Sequence, residues 1–493
     1  PSPLVAAGTH RLLTAILQAI YAPQDLAEIA TVLRAGQFDP VKLDGFAAQY
    51  ADRFDLFHPT APFLQTGDVP LDGWKKPEKG QTHAWSDPKP IAALFVEVPA
   101  SSNRAHFHHV TDEGHALCAA CCARGLVTIA AFASSGGAGI RPSINGVPPI
   151  YVLPAGSSLF ESLTLSLITQ GYQPPTADPQ RANLAAWSGQ TTVGKGTQVS
   201  AVGYLESLTF PARRMRLYPQ GVTTTTCTHC GAATQITVSS LLFEMGHWLS
   251  EGSALWEDPF AAFRKPKSKG KAADVGPKPI RPDEGKALWR EYSGLLLAER
   301  DDQLRPRIVQ QIAKLIDRRA LHETQRVRFR CIGLRTDGKA KIFEWLDEAL
   351  EAPSALLTDD DAAQYIDDAL GRADEARFIL ESSFDSHFRP ERDRGGRNEK
   401  LARFKTVRAR MSADYWRRLA PLFRQFIFDL ADETAREATE LDWADKLVRE
   451  GKQAFATAAD QVGERADALR ARVEAQATCH RRLAAKRKEW FGE

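Results

Sequence analysis

Cysteine is scarce in this chain, with seven in 493 residues. That density excludes a disulfide-built scaffold and fits a reducing cytoplasm. Charge of one sign is also missing, because 63 basic residues face 61 acidic ones for a net charge of +2. No basic field covers the whole protein, so any nucleic-acid contact must come from local patches. No apolar run is long enough to span a bilayer and no signal peptide opens the chain, so no membrane partner is expected. The first residue is Pro1 rather than Met, and further residues are expected ahead of it. Catalytic signatures are lacking too: neither H-E-x-x-H nor G-x-S-x-G occurs. SGQTTVGKGT (188–197) approaches a P-loop through Gly189, Gly194 and Lys195, but Gly196 stands where a Ser or Thr should hold magnesium. A weak strand before it and a poor helix start after it leave a flexible surface loop as the better reading. His106, His108 and His109 cluster in HFHH without a carboxylate at metal-ligand spacing. A solvent-facing loop or strand end suits them, and no enzyme is expected.

What is present begins with size. A chain this long exceeds one hydrophobic core, so two or more domains are expected. Its 43% hydrophobic and 25% charged residues are ordinary for a globular protein. The composition changes near residue 358. Before it, short apolar runs such as IAALFVEVP (91–99), GVPPIYVLP (146–154) and VRFRCIGLRTDGKAKIFEW (327–345) alternate with Pro/Gly turns. After it, apolar residues recur at helical spacing: Ile366, Leu370, Ala373, Leu380 and Phe384; then Tyr415, Leu419, Phe423, Phe426 and Leu430; then Trp443 and Leu447; then Val462, Leu469, Val473 and Leu483. Four such helices most simply close as an antiparallel bundle. The expected fold is α+β: a mixed α/β amino-terminal domain over 1–358 with a structural zinc site, then a carboxy-terminal four-helix bundle over 359–493. RKPKSKGKAADVGPKPIRPDEG (264–285) has almost nothing to bury and reads as a mobile loop.

Cys227 and Cys230 form a C-x-x-C in CTHCG, and Cys118 and Cys121 form another in HALCAACCARG. Two knuckles supply four thiolates, the soft tetrahedral set that zinc prefers. A closed shell of four leaves no position for substrate, so the zinc is structural. Two buried cysteine pairs without metal form the competing reading, and Cys122 is an alternative ligand. Cys331 and Cys479 read as isolated buried thiols.

Three stretches suit nucleic acid. SSGGAGIRPSING (134–146) holds Gly136, Gly137, Ala138 and Gly139 beside Arg141, and glycines let backbone N–H groups approach a phosphate or base edge. The 327–345 run reads as a hairpin turning at Asp337-Gly338, with Arg335, Lys339 and Lys341 near its tip. HFRPERDRGGRNEKLARFKTVRARM (387–411) carries Arg389, Arg392, Arg394, Arg397 and Arg403 among other cations, interleaved with Phe388 and Phe404. It reads as a basic loop between the first two bundle helices. Bland readings stand beside each: a turn, a solvated tip, a solvated loop.

FDLFHPTAPFLQT (54–66), ALCAACC (116–122), the glycine loop, GVPPIYVLPAGSSLFESLTLSLI (146–168), CTHCG and the hairpin occur in an order that resembles the CasA family. CasA is the large subunit of the type I-E CRISPR surveillance complex, Cascade. The resemblance implies a non-catalytic DNA- and RNA-binding subunit in a prokaryotic cytoplasm. It would read the protospacer-adjacent motif (PAM) in double-stranded DNA, start duplex opening and R-loop formation, and dock a helicase-nuclease. Other Cascade subunits and the CRISPR guide RNA are the implied partners. The family's glycine loop falls on Gly136, Gly137, Ala138 and Gly139, and its wedge on Asp337, Gly338, Lys339 and Ala340. Its contact to the guide RNA handle falls on Asn103 to His115, with Phe107 on a family aromatic. Two features depart from the family: the wedge tip lacks a glutamine, and the lysine finger falls on Met245, with Arg264 and Lys265 nearby as substitutes. The family also opens with an extra strand. A metal-dependent nuclease built on the histidines or the cysteines is the alternative function, and a scaffold without DNA contact is a third.

Overall fold

The computed structural model describes residues 2–71, 85–96, 114–134, 139–189, 192–250, 256–265, 276–297, 299–300, 303–321, 326–337, 342–388, 399–462 and 466–492. Helix and strand both contribute, and the chain divides into two compact units. The first comprises Pro1–Leu288, Gly294–Glu323 and Val327–Leu350; the second comprises Trp289–Ser293, Thr324–Arg326 and Glu351–Glu493.

The first unit opens with helix Pro3–Tyr21. Ser2 caps it by accepting from the Leu4 amide at 3.2 Å, and Pro3 supplies a preset φ in its first turn. The helix packs on Ala119–Phe132, here called the knuckle helix. The two backbones approach so closely that a Cβ on Gly8 would lie 2.5 Å from the Val127 carbonyl oxygen. Only glycine permits that packing. Buried in the same helix, Arg11 grips Asp258 with two hydrogen bonds of 2.7 and 3.1 Å and lies over the Tyr151 ring at 4.7 Å. A buried pair so far apart in sequence fixes the fold, because loss of one partner strands the other charge, at about 3–5 kcal/mol.

Strands Arg213–Thr226 and Ala233–Met245 form a long antiparallel hairpin that runs from Arg213 opposite Met245 to Thr226 opposite Ala233, with register shifts between Leu217 and Pro219 and between Gly221 and Thr225. A second hairpin joins Arg326–Thr336 to Ile342–Pro353, and Tyr151–Pro154 completes its sheet on the other side of Arg326–Thr336. Two readings of the sequence change here. Ile91–Leu94, which opens the first of the short apolar runs, forms a 3-10 turn rather than a strand and buries Ile91, Ala92 and Leu94. Within 264–285, Lys278–Pro279 pairs with Phe263–Arg264 and Ile280 is buried. Residues 266–275 lie outside the described residues.

In the second unit, helices Ala362–Phe388, Glu399–Asp429, Arg436–Ala459 and Ala466–Trp490 pack together. Phe384, near the end of the first, meets Phe404, near the start of the second, at 5.4 Å, so the chain doubles back. The helices converge at Gly451: Leu380 and Leu483 lie 3.4 Å, and Tyr415 3.8 Å, from where its Cβ would stand. The Trp443 indole is fully buried and donates to the Ala369 carbonyl at 3.0 Å. On the fourth helix, Leu469 and Val473 are exposed, and Ala475, Cys479 and Leu483 form the buried stripe. Cys331 is buried as well. Among the described residues, no helix is long and apolar enough to cross a membrane.

Candidate metal centre and nucleic-acid interface

The two knuckles converge. The sulfur atoms of Cys118, Cys121, Cys227 and Cys230 all lie within 4.8 Å of one another. Cys118 is the N-cap of the knuckle helix and Cys121 sits in its first turn, while Cys227 and Cys230 occupy the turn of the long hairpin. Gly231 closes that turn with φ of +73°, and its amide donates to the Cys227 carbonyl at 3.0 Å. The left-handed conformation there suits glycine. Backbone pairing locks the halves together, with Leu117 and Val238 exchanging bonds of 3.0 and 2.9 Å and the Thr228 amide donating to Ala116 at 3.0 Å. His229 stacks on Phe95, ring centres 4.7 Å apart.

The donor set suits a thiophilic metal. Tetrahedral coordination with bonds of about 2.3 Å puts sulfurs about 3.8 Å apart, and Cys118 and Cys230 stand at 3.8 Å. All four thiols are free of disulfides. Burial disfavours the Cys227 thiolate, but the amides of Cys118, Cys230 and His229 outweigh it and hold the thiol down at about 6. Burial pushes Cys118 and Cys121 up. Cys122 stands outside the cluster, and burial pushes its thiol up to about 12. The ambiguity over Cys122 is thereby removed. The arrangement can hold one ion in a closed shell.

The glycine loop has ordered stems. Ser135, Gly136, Gly137 and Ala138 lie outside the described residues; Gly139 is left-handed, at φ of +81°. Arg213 holds both stems, donating from Nη2 to the Ser134 carbonyl at 2.5 Å and from Nη1 to the Arg141 carbonyl at 2.9 Å. Arg141 lays its guanidinium over the Trp248 ring at 3.9 Å. Met245 lies buried beneath, its sulfur accepting from the Arg141 amide at 3.3 Å. A lysine finger therefore has no counterpart in this side chain. Arg264 and Lys265 are exposed at the end of the short strand Phe263–Arg264.

The near-P-loop is no nucleotide cradle. Gly196 has φ of +62°, its amide donates to the Met245 carbonyl at 2.9 Å, and Gln198–Val199 then pairs in parallel with Trp248–Leu249. The strand Gln198–Val199 follows Lys195 and the next helix starts only at Tyr204, so the helix N-terminus a P-loop requires is missing from this turn. This turn is pinned rather than loose.

The hairpin tip is described up to exposed Asp337; Gly338, Lys339 and Ala340 lie outside the described residues. Arg335 is no tip cation, since it donates to Glu344 at 2.6 Å and lies over Phe343 at 4.7 Å. The basic stretch also changes. Arg389, Arg392, Arg394 and Arg397 lie outside the described residues, but a helix already begins at Glu399, so Arg403 belongs to a helix and not a loop. Arg408 bonds Glu381 at 2.9 Å and Asp385 at 3.2 Å, and Phe404 packs inward on Phe384. Those two are bundle contacts. Phe107 and the three histidines lie outside the described residues.

Comparison with known proteins adds the following. A family model described as CRISPR-associated protein Cse1 matches residues 1–454. A curated relative from Thermus thermophilus, named CRISPR-associated protein CasA/Cse1, is 26% identical over 456 residues, covering 88% of this chain and 81% of the relative. The solved Cse1 of Acidimicrobium ferrooxidans aligns with a TM-score of 0.76 at 22% identity, over 99% of this chain and 91% of its own. That of Thermobifida fusca gives 0.75 at 21%, over 100% and 91%. A chain of a structure titled CRISPR RNA-guided surveillance complex aligns at 0.56 and 20%, over 97% and 91%.

Proposed function

The chain belongs to the CRISPR-associated Cse1 (CasA) family, and from that premise we propose that it is the non-catalytic large subunit of a type I-E CRISPR RNA-guided surveillance complex. In this reading its partners are the other Cascade subunits, the guide RNA, double-stranded target DNA and a recruited helicase-nuclease. The glycine loop at Gly136, Gly137, Ala138, Gly139 and Arg141 contacts the PAM duplex. The tip from Asp337 to Ala340 wedges the duplex open, and the arm from Arg389 to Arg403 holds a displaced strand. Cys118, Cys121, Cys227 and Cys230 hold a structural zinc.

One observation carries the reading: the loop's two stems are gripped by a single buried guanidinium, beside the cationic side chain of Arg141. Minor-groove readers use backbone and basic groups and read a degenerate code, which suits a short motif with several tolerated forms. Wedging costs unstacking energy, offset by pairing between guide and target.

The test is Gly137→Asp in the assembled complex. The added carboxylate should repel phosphate and block close approach, weakening binding to a PAM-bearing duplex by at least tenfold. Binding as tight as wild type would refute the loop assignment.

A further inference from the structure

Arg213 is almost fully buried, at 3% exposure, yet among the described residues its hydrogen-bond partners are the carbonyl oxygens of Ser134, Arg141 and Ala212 and the Met245 sulfur, with the Phe243 ring 5.9 Å from the guanidinium carbon. Among the described residues its buried Nε meets no partner. Burial holds the guanidinium down to about 10, still cationic at neutral pH. Contrast its neighbour Arg214, which shares the strand and bonds the carboxylates of Glu244 and Asp68 at 3.0 and 2.9 Å. Buried charges are ordinarily paired, and among the described residues no carboxylate bonds this one.

The second feature is the Trp248 platform. Its backbone amide donates to the Thr197 carbonyl at 3.0 Å and its indole Nε1 to the Gly196 carbonyl at 3.1 Å. The pinned turn at 194–197 thus fixes the ring, and the ring fixes the Arg141 guanidinium above it.

We propose that Arg213 and Trp248 are positioning residues of a phosphate site at the glycine-loop stem, with Arg141 as the cation that touches a phosphate of the target duplex. Arg213 turns the carbonyls of residues 134 and 141 inward, so an approaching anion meets a cation instead of carbonyl oxygens. Trp248 holds the Arg141 guanidinium over its ring, which lowers the entropy cost of ordering a long side chain on binding. The turn that resembles a P-loop binds no phosphate itself and acts as the buttress of this platform. The inference rests on the glycine loop meeting DNA.

The experiment uses the assembled complex, titrated with PAM-bearing, PAM-less and pre-opened duplexes over a range of salt. Trp248→Leu removes the ring and should weaken PAM-bearing duplex by about two- to fivefold, the scale of an exposed cation–π contact. Trp248→Phe, which keeps a ring, should recover most of it. Binding to the pre-opened target should stay unchanged. Arg141→Gln should lower the salt slope by about one unit, as for one lost phosphate contact. Arg213→Lys keeps the charge but cannot grip both stems, and should reduce discrimination between PAM-bearing and PAM-less duplexes by at least tenfold. If that variant does not fold, the Trp248 pair decides. Equal behaviour of Trp248→Leu and wild type, or loss of guide RNA in place of duplex affinity, would overturn the proposal. The same Trp248→Leu result together with a strong Gly137→Asp defect sinks only this inference. Neither variant affecting duplex binding sinks the loop reading as well. Free ATP at millimolar concentration should not compete; competition lost in Arg141→Gln would assign the site to nucleotides instead and overturn the DNA assignment.

Discussion

Cys227 joins the hairpin turn to the knuckle helix, its sulfur accepting from the Cys118 amide at 3.3 Å. Replacing it removes one of four donors and leaves two buried thiols, Cys118 and Cys121, and the exposed Cys230 with an incomplete donor set. Cys227→Ser should therefore lose the one bound zinc per chain expected by elemental analysis, and should lower the melting temperature by several degrees, because structural metal binding is folding free energy. Wild-type protein washed with chelator and found free of zinc would refute the metal assignment. A second residue sets a pH dependence. Burial first, and then the charges of Arg11 and Arg330, hold His10 down at about 4 from its ordinary 6.5. Unfolded chain binds the proton that folded chain refuses between those values, so this residue makes stability fall as pH drops from about 6.5 toward 4. His10 bonds the Ser166 hydroxyl at 2.8 Å, a contact Asn can replace in part. The loss of urea midpoint between pH 7 and pH 5 should be smaller in His10→Asn than in wild type; an equal loss would place the pH sensitivity elsewhere.

At the scale of elements, the hairpin tip and the basic arm should fail differently. Shortening the tip across Asp337 to Ala340 should slow strand separation and leave affinity for a pre-opened bubble nearly intact. Neutralising Arg389, Arg392, Arg394, Arg397 and Arg403 should weaken all sequences alike and flatten the salt dependence by up to about one unit per lost contact. PAM preference should not move, since phosphate contacts carry no direct sequence information. A salt titration on intact and bubbled targets separates the two, and an arm variant with the wild-type slope reduces the arm to a solvated segment. How far each element was legible follows from its physics. The cysteine set could be read because C-x-x-C spacing is local chemistry that folding has only to bring together. The bundle helices could be read from their period. Arg408 and Phe404 could not be read from charge density, although Glu381 and Asp385, four apart on the preceding helix, were an available signal of a facing acidic pair. Arg213 left no signal, because its partners are main-chain carbonyls 72 and 79 residues away that no side-chain type encodes.

At the scale of the molecule, all four cysteines of the candidate metal centre belong to the first unit. Chelation should raise amide exchange in the knuckle helix and around 227–245 and leave the buried centre of Arg436–Ala459 protected, as read by mass spectrometry. Faster exchange throughout both units would show that the ion supports the entire chain. The site also has a history. Cys118 and Cys227 stand 109 residues apart, and a ribosome adding about 5–20 residues per second needs on the order of 5–20 s to cross that interval. During that time the nascent chain carries Cys118, Cys121 and Cys122 with half a coordination shell, as nucleophiles open to oxidants and to competing ions. Under the proposed zinc assignment, the order of synthesis makes metal supply and thiol reduction conditions on the birth of this fold.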